Sequence, residues 1–164
     1  MWNIFNKSAQ GGEAERFLKK AGIRFAAQPD GTLLVQGNVD ISGKALLQLP
    51  DLSRVQVRGD FCCEGNYLTS LKGCPAIVGG SFDCSDNRLD SLEGAPAVVG
   101  KTFFCSDNDL ASLDHKPEKF QVLISDLGNL TGYPKKEMPA QTAALELQAP
   151  LKVSRPIKYR AAIT

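Results

Sequence analysis

The chain has 164 residues, enough for one domain that buries a real core. Its net charge of +1 leaves the molecule as a whole without a preference for nucleic acid or acidic membranes. With 43% hydrophobic but only 7% aromatic residues, the core is expected to be thin and built from aliphatic and small side chains.

The opening Met1-Trp-Asn-Ile-Phe-Asn-Lys7 has no cationic lead ahead of an apolar stretch, so no signal peptide is expected. No run approaches the ~18 apolar residues of a membrane-spanning helix. The five cysteines, an odd number, are therefore expected as reduced thiols in a cytoplasmic protein. Residues 12–22 predict a short helix with Phe17, Leu18 and Ala21 on one face and Gly22 as its stop. Residues 23–42 alternate in polarity about an Asp30-Gly31 turn, which predicts a strand pair. Helix and strands together are expected to cap the exposed end of whatever follows.

A repeat follows. Phe61-x-Cys63-x-x-Asn66-x-Leu68-x-x-Leu71 recurs as Phe82 to Leu92 and as Phe103 to Leu113, every anchor moving by 21 residues. The connectors repeat as well: Gly73 with Gly94; Pro75 with Pro96 and Pro117; Val78 with Val99 and Phe120; Gly79 with Gly100. A variant unit, Val39 to Pro50, stands 22 residues before the Phe61 unit and lacks the asparagine. Downstream, Ile124 and Asn129 keep the 21-residue spacing, with Asp126 in the cysteine slot and Thr131 in a leucine slot. A period of this length means a solenoid, and atypical end units mean caps.

Each unit predicts one short parallel strand, at Phe61–Cys63, Phe82–Cys84 and Phe103–Cys105. Alternation points Phe and Cys inward. Asn66, Asn87 and Asn108 are expected to form a ladder, bonding backbone groups of their own turn and of the next unit. Twenty-one residues leave no room for a full helix on the outer side, so extended or 3₁₀ segments are expected there. Cys63, Cys84 and Cys105 read as small core residues. Their translational spacing, the absence of Cys-x-x-Cys and a single histidine, His115, argue against zinc. Cys62, facing outward, and Cys74, in a connector, are expected to be the more reactive thiols.

The unit resembles the leucine-rich repeat core, Leu-x-Leu-x-x-Asn-x-Leu, with Phe and Cys in the two strand positions. It is most similar to the short 21-residue repeats of bacterial secreted effectors and of phage and prophage proteins, over roughly residues 32–133. The resemblance implies a mainly β fold: a short parallel β-solenoid of leucine-rich-repeat type with an N-terminal helix and strand cap. The expected organisation is a cap over 1–38, the solenoid over 39–133 and a basic C-terminal extension over 134–164. The resemblance also implies a non-enzymatic protein–protein interaction module of bacterial or phage origin, such as an inhibitor of a host protein. The alternative is a structural component of a phage particle or other assembly.

No enzyme, cofactor or metal is expected. Ser85-Asp86-Asn87 and Ser106-Asp107-Asn108 match a penicillin-recognising motif, but its Ser-x-x-Lys and Lys-Thr-Gly companions are missing and the repeat accounts for both triplets. No P-loop or dinucleotide fingerprint occurs. The expected binding surface is the concave strand face, where solenoids engage partners. Its candidate residues are Asp40, Asp60, Cys62, Glu64, Asp83, Ser85, Phe104 and Ser106, with Ser42, Ser81 and Thr102 between them. Nine acidic and three basic residues lie between Asp60 and Asp114, a net of −6. A protein partner with a basic surface is therefore expected on this face, and direct nucleic-acid binding is not. Lys152, Arg155, Lys158 and Arg160 make the C-terminal extension basic, able to attract the acidic solenoid within or between chains.

Overall fold

The computed structural model describes residues 12–132. It opens with helix α1 (Glu13–Lys20), which carries Glu13 and Glu15 in its first turn and Lys19 and Lys20 in its last. Both signs suit the helix dipole, and Gly22 at φ 70° ends the element. Ala14 and Leu18 are buried, with Phe17 and Ala21 packed beside them. No helix among the described residues is long and apolar enough to cross a membrane.

Eleven short strands follow: β1 (Ala26–Ala27), β2 (Leu33–Val35), β3 (Val39–Asp40), β4 (Val55–Val57), β5 (Phe61–Cys62), β6 (Ile77–Val78), β7 (Phe82–Asp83), β8 (Val98–Val99), β9 (Thr102–Phe104), β10 (Val122–Ile124) and β11 (Leu130–Thr131). They form two sheets, ordered β1-β2-β4-β6-β8 and β11-β10-β9-β7-β5-β3. Only the end pairs, β1 with β2 and β10 with β11, are antiparallel. The rest is a parallel β-solenoid of about four turns, each turn giving one strand to each sheet. The Asp30 turn joins β1 to β2 as expected, with Asp30 accepting bonds from the Thr32 amide and hydroxyl.

The sequence predicted extended or 3₁₀ segments on the outer side; the segments are extended, and they pair into a second, mostly parallel sheet. Val57, Val78 and Val99 are buried in it. Glycines just past Val78 and Val99 let successive turns approach. A Cβ on Gly79 would stand 2.5 Å from the Arg58 carbonyl oxygen, and one on Gly100 would collide with the Gly79 carbonyl. The second sheet thus depends on the same Gly79 and Gly100 that look, in sequence, like loop punctuation.

Between the sheets the repeat stacks on itself. The rings of Phe61, Phe82 and Phe103 lie 5.3 Å apart and within 6° of parallel. Cys63, Cys84 and Cys105 form a buried column beside them, and Leu68, Leu71, Leu89 and Leu92 close the core. The asparagine ladder forms, but it points the other way: each side chain reaches the preceding turn. Asn87 Nδ2 donates to the carbonyls of Cys63, Cys84 and Ser85, and its Oδ1 accepts from the Leu68 amide at 3.0 Å. The residue before each ladder asparagine turns left-handed: Gly65 at φ 64°, Asp86 at 51°, Asp107 at 53°. Glycine and aspartate both tolerate that conformation. The Ser-Asp-Asn triplets are thus a turn joined to a ladder rung.

The last unit departs from the 21-residue count. Leu123, not Ile124, pairs with Phe103, and Ile124 pairs with Phe104. The unit is one residue short between Phe120 and Leu123, and a one-residue slip exchanges the two faces of a strand. Leu123 becomes fully buried and Ser125 takes the cysteine slot, its hydroxyl donating to the Gly128 carbonyl. Asn129 is exposed, and the rung ends there: its Oδ1 faces the Ser125 amide at 3.4 Å.

Candidate interaction face

The register of β3, β5, β7, β9 and β10 sets one outward row, Asp40, Cys62, Asp83, Phe104 and Ile124. Alternation places a second row one residue before each inward anchor, Asn38, Asp60, Ser81, Thr102 and Val122, and a third just beyond the strands, Ser42, Glu64, Ser85, Ser106 and Asp126. All eight residues singled out from sequence lie on this surface. Together the three rows hold five carboxylates and no basic side chain. Lys152, Arg155, Lys158 and Arg160 lie outside the described residues.

Several of these acids also serve the backbone. Asp60 accepts from the Ser81 amide at 2.8 Å, while its own amide donates to Asn38 Oδ1 at 2.9 Å. Asp83 accepts from the Ser85 amide at 2.9 Å. Asp40 accepts from the Ser42 amide and hydroxyl, and these bonds hold its carboxyl below the usual carboxylate range. In each case the bonds engage one named oxygen, so the face is a set of oriented charges rather than loose side chains. Glu64 is exposed and has no such bond from its carboxylate among the described residues.

Cys62 is half-buried in the middle of this field. Burial raises its thiol pKa; a backbone hydrogen bond at Glu64 lowers it, and the charges of Asp83, Asp40 and Glu64 raise it again. A thiol held protonated is a poor nucleophile. Cys74, expected to be reactive in its connector, is instead buried, and its Sγ donates to the Gly94 carbonyl at 2.9 Å. Burial pushes that thiol far up as well. All five thiols are free. His115 is exposed in its connector, and no hydrogen bond joins it to a thiol among the described residues.

The sulfur of Cys62 and an oxygen each of Glu64 and Asp83 lie within 4.8 Å of one another. These are the residues that could hold a cation. They lie on an open face and lack the fourth protein ligand of a closed zinc site. The same donors suit the ammonium or guanidinium of a basic side chain.

Four members of these rows escaped the sequence reading: Asn38, Val122, Ile124 and Asp126, the last expected in the inward cysteine slot. Val122 and Ile124 turn outward through the register slip, while on β11 Thr131 pairs with Val122 and Leu130 with the inward Leu123. Phe104, Val122 and Ile124 make the C-terminal end of the strand rows apolar. The shortened spacing between Phe120 and Leu123 is the signal that could have revealed the outward turn of Val122, Ile124 and Asp126. Comparison with known proteins finds no match: no family model, curated protein or solved structure aligns with the chain.

Proposed function

We propose that this protein is a non-enzymatic interaction module that binds a protein partner through the outer face of the β3-β5-β7-β9-β10 sheet. The observation that carries the reading is the composition of that face: five carboxylates without a basic side chain, bordered by Phe104, Val122 and Ile124. Charge complementarity would draw in a basic surface, and the apolar end would supply the desolvated anchor that binding energy concentrates on. The likeness of the repeat unit to short leucine-rich repeats of bacterial and phage proteins supports an origin of that kind, including an inhibitor of a host protein. The suppressed nucleophilicity of Cys62 is in keeping with a binding role.

Affinity capture from a bacterial lysate, repeated with Asp83→Lys and Phe104→Ala, tests the assignment. The expected result is a specific partner lost with either variant and released from the wild type by salt. Retention of every partner by both variants would refute the face. A second reading, a subunit of a larger assembly, draws on the exposed Leu127 and Leu130 at the C-terminal end. Sedimentation at micromolar concentration separates the two: a monomer disfavours the assembly.

A further inference from the structure

The outward row of the sheet changes character once along its length. Asp40, Cys62 and Asp83 give way to Phe104 and Ile124, each residue one strand further along. Four of the five carboxylates of the face, Asp40, Asp60, Glu64 and Asp83, lie on the turns of β3, β5 and β7; Phe104, Val122 and Ile124 lie on β9 and β10. The surface is therefore polarised along the stack, and two places on it are sharply defined. One is the cradle of Cys62, Glu64 and Asp83, whose donor atoms lie within 4.8 Å of one another, a span that one ammonium or guanidinium can bridge. The other is the half-buried Phe104, the register partner of Asp83.

The separation of the two places selects the shape of a partner. Parallel strands lie ~4.8 Å apart, so Phe104 stands about 9.6 Å from Cys62 along the stack and Ile124 about 14.4 Å. An α-helix laid in that direction returns the same face after about 7 residues, at about 10.5 Å. The next turn of that face, at about 16.5 Å, falls about 2 Å past Ile124, close enough for a side chain to cover it. An extended chain returns its face every two residues, at about 6.6 and 13.2 Å, and misses Phe104 by about 3 Å either way. Width agrees with a helix. The three outward rows span four residues of strand, about 13 Å, against a helix about 10–12 Å across with its side chains. Five strands extend over about 19 Å, the length of a helix of about 13 residues.

We infer that the partner of this face presents an α-helix laid along the stack, with a Lys or Arg seated in the Cys62-Glu64-Asp83 cradle and apolar side chains about 7 and 11 residues later against Phe104 and Ile124. Its amino terminus lies over the acidic turns, where the helix dipole adds to the attraction. Such a partner rests on the binding face proposed above and adds to it a shape, a polarity and a spacing.

The probe is a helix-stapled peptide of about 14 residues, with one arginine near its amino end and leucines seven and eleven residues on. Isothermal titration against the full chain should show binding that falls with added salt and weakens about tenfold or more with Asp83→Lys and with Phe104→Ala. Amide chemical-shift changes in the wild type should centre on Cys62, Asp83, Phe104 and Ile124, which keeps the test decisive if a variant fails to fold. Moving both leucines two residues toward the arginine puts them on the opposite side of the helix and should weaken binding about tenfold. Prolines that break the helix should do the same. Equal binding by either control, with the protein variants still weaker, would overturn the helix and leave the face standing. Binding that neither Asp83→Lys nor Phe104→Ala weakens, or shift changes away from the row, would overturn the face and the helix with it. No binding of the stapled helix at millimolar concentration would overturn the helix alone, leaving capture from lysate to judge the face.

Discussion

Asn87 is the rung where the ladder's contribution can be calculated residue by residue. Its side chain is buried and touches four backbone groups. Replacing it with alanine does not strand all four. The Cys63 carbonyl keeps Asn66, the Cys84 carbonyl keeps Asn108, and the Ser85 carbonyl keeps the Gly65 amide. Only the buried Leu68 amide loses its side-chain acceptor. An orphaned buried donor costs about 1–3 kcal/mol, and the lost bonds to the carbonyls add about 1 kcal/mol more. Asn87→Ala should therefore cost about 2–4 kcal/mol in urea denaturation, with faster hydrogen exchange at the Leu68 amide. Asn108→Ala should cost less, because that position is partly open to water. Asn87→Asp adds a pH signature. It keeps an acceptor for Leu68 but turns a carboxylate toward three carbonyl oxygens, which raises its folded-state pKa above the unfolded value. Its stability then lies closest to the wild type below the unfolded Asp pKa, and falls as pH rises through the folded one. An Asn87→Ala variant within about 0.5 kcal/mol of the wild type, with Leu68 exchange unchanged, would refute the ladder as a source of stability.

Two further outcomes follow from the same geometry. Gly73 and Gly94 hold positive φ at equivalent places in successive turns, and His115 occupies the third at φ 62°. His115→Gly should raise the thermal midpoint by relieving a left-handed side chain, a gain of about 0.5–1 kcal/mol. Gly94→Ala should lower it by at least about 2 kcal/mol, since its Cβ would also stand 2.7 Å from the Lys72 backbone nitrogen. Asp83→Asn should accelerate alkylation of Cys62 at pH 8, because removing that charge lowers the thiol pKa and enlarges the thiolate fraction. Mass spectrometry should find Cys63, Cys74, Cys84 and Cys105 modified only after unfolding.

How much of this was readable beforehand depends on what each slot demands. In the three clear units the inward positions carry Phe, Cys, Asn and Leu in fixed order, so their parallel stack and their outward residues were legible from identity alone. The second sheet was not, because Val78-Gly79 and Val99-Gly100 look like loops until the neighbouring turn is seen lying against the glycines. The left-handed slot was hidden by chemistry: Gly65 and Asp86 share a backbone conformation but no side-chain character. The slip at Leu123 was ambiguous because Leu123 and Ile124 are both apolar, and only burial separates them. Cys74 went unrecognised as a core residue because its partner, the Gly94 carbonyl, lies one turn ahead.

The electrostatics of the face can be tested without any partner. Cys62 lies between Asp40 and Asp83 in the row, and Glu64 also stands near its sulfur. Adjacent parallel strands lie ~4.8 Å apart, so each carboxylate acts on the central position across one strand spacing. At that distance two unit charges interact by roughly 0.9 kcal/mol in bulk water. A cation at position 62 would gain from two or three such neighbours and lose part of it to solvation and side-chain entropy, leaving roughly 1 kcal/mol. Cys62→Lys should therefore be more stable than Cys62→Ser at low ionic strength, and the difference should vanish by 1 M salt, where screening acts within ~3 Å. Cys62→Asp should show the opposite sign and the same salt dependence. A basic side chain from a partner would meet the same potential without the folding cost, which is why the intramolecular lysine is a fair probe of it. If Cys62→Lys and Cys62→Ser were equally stable at low salt, the three carboxylates would not form a cation-attracting field, and the proposed basic partner would lose its physical basis.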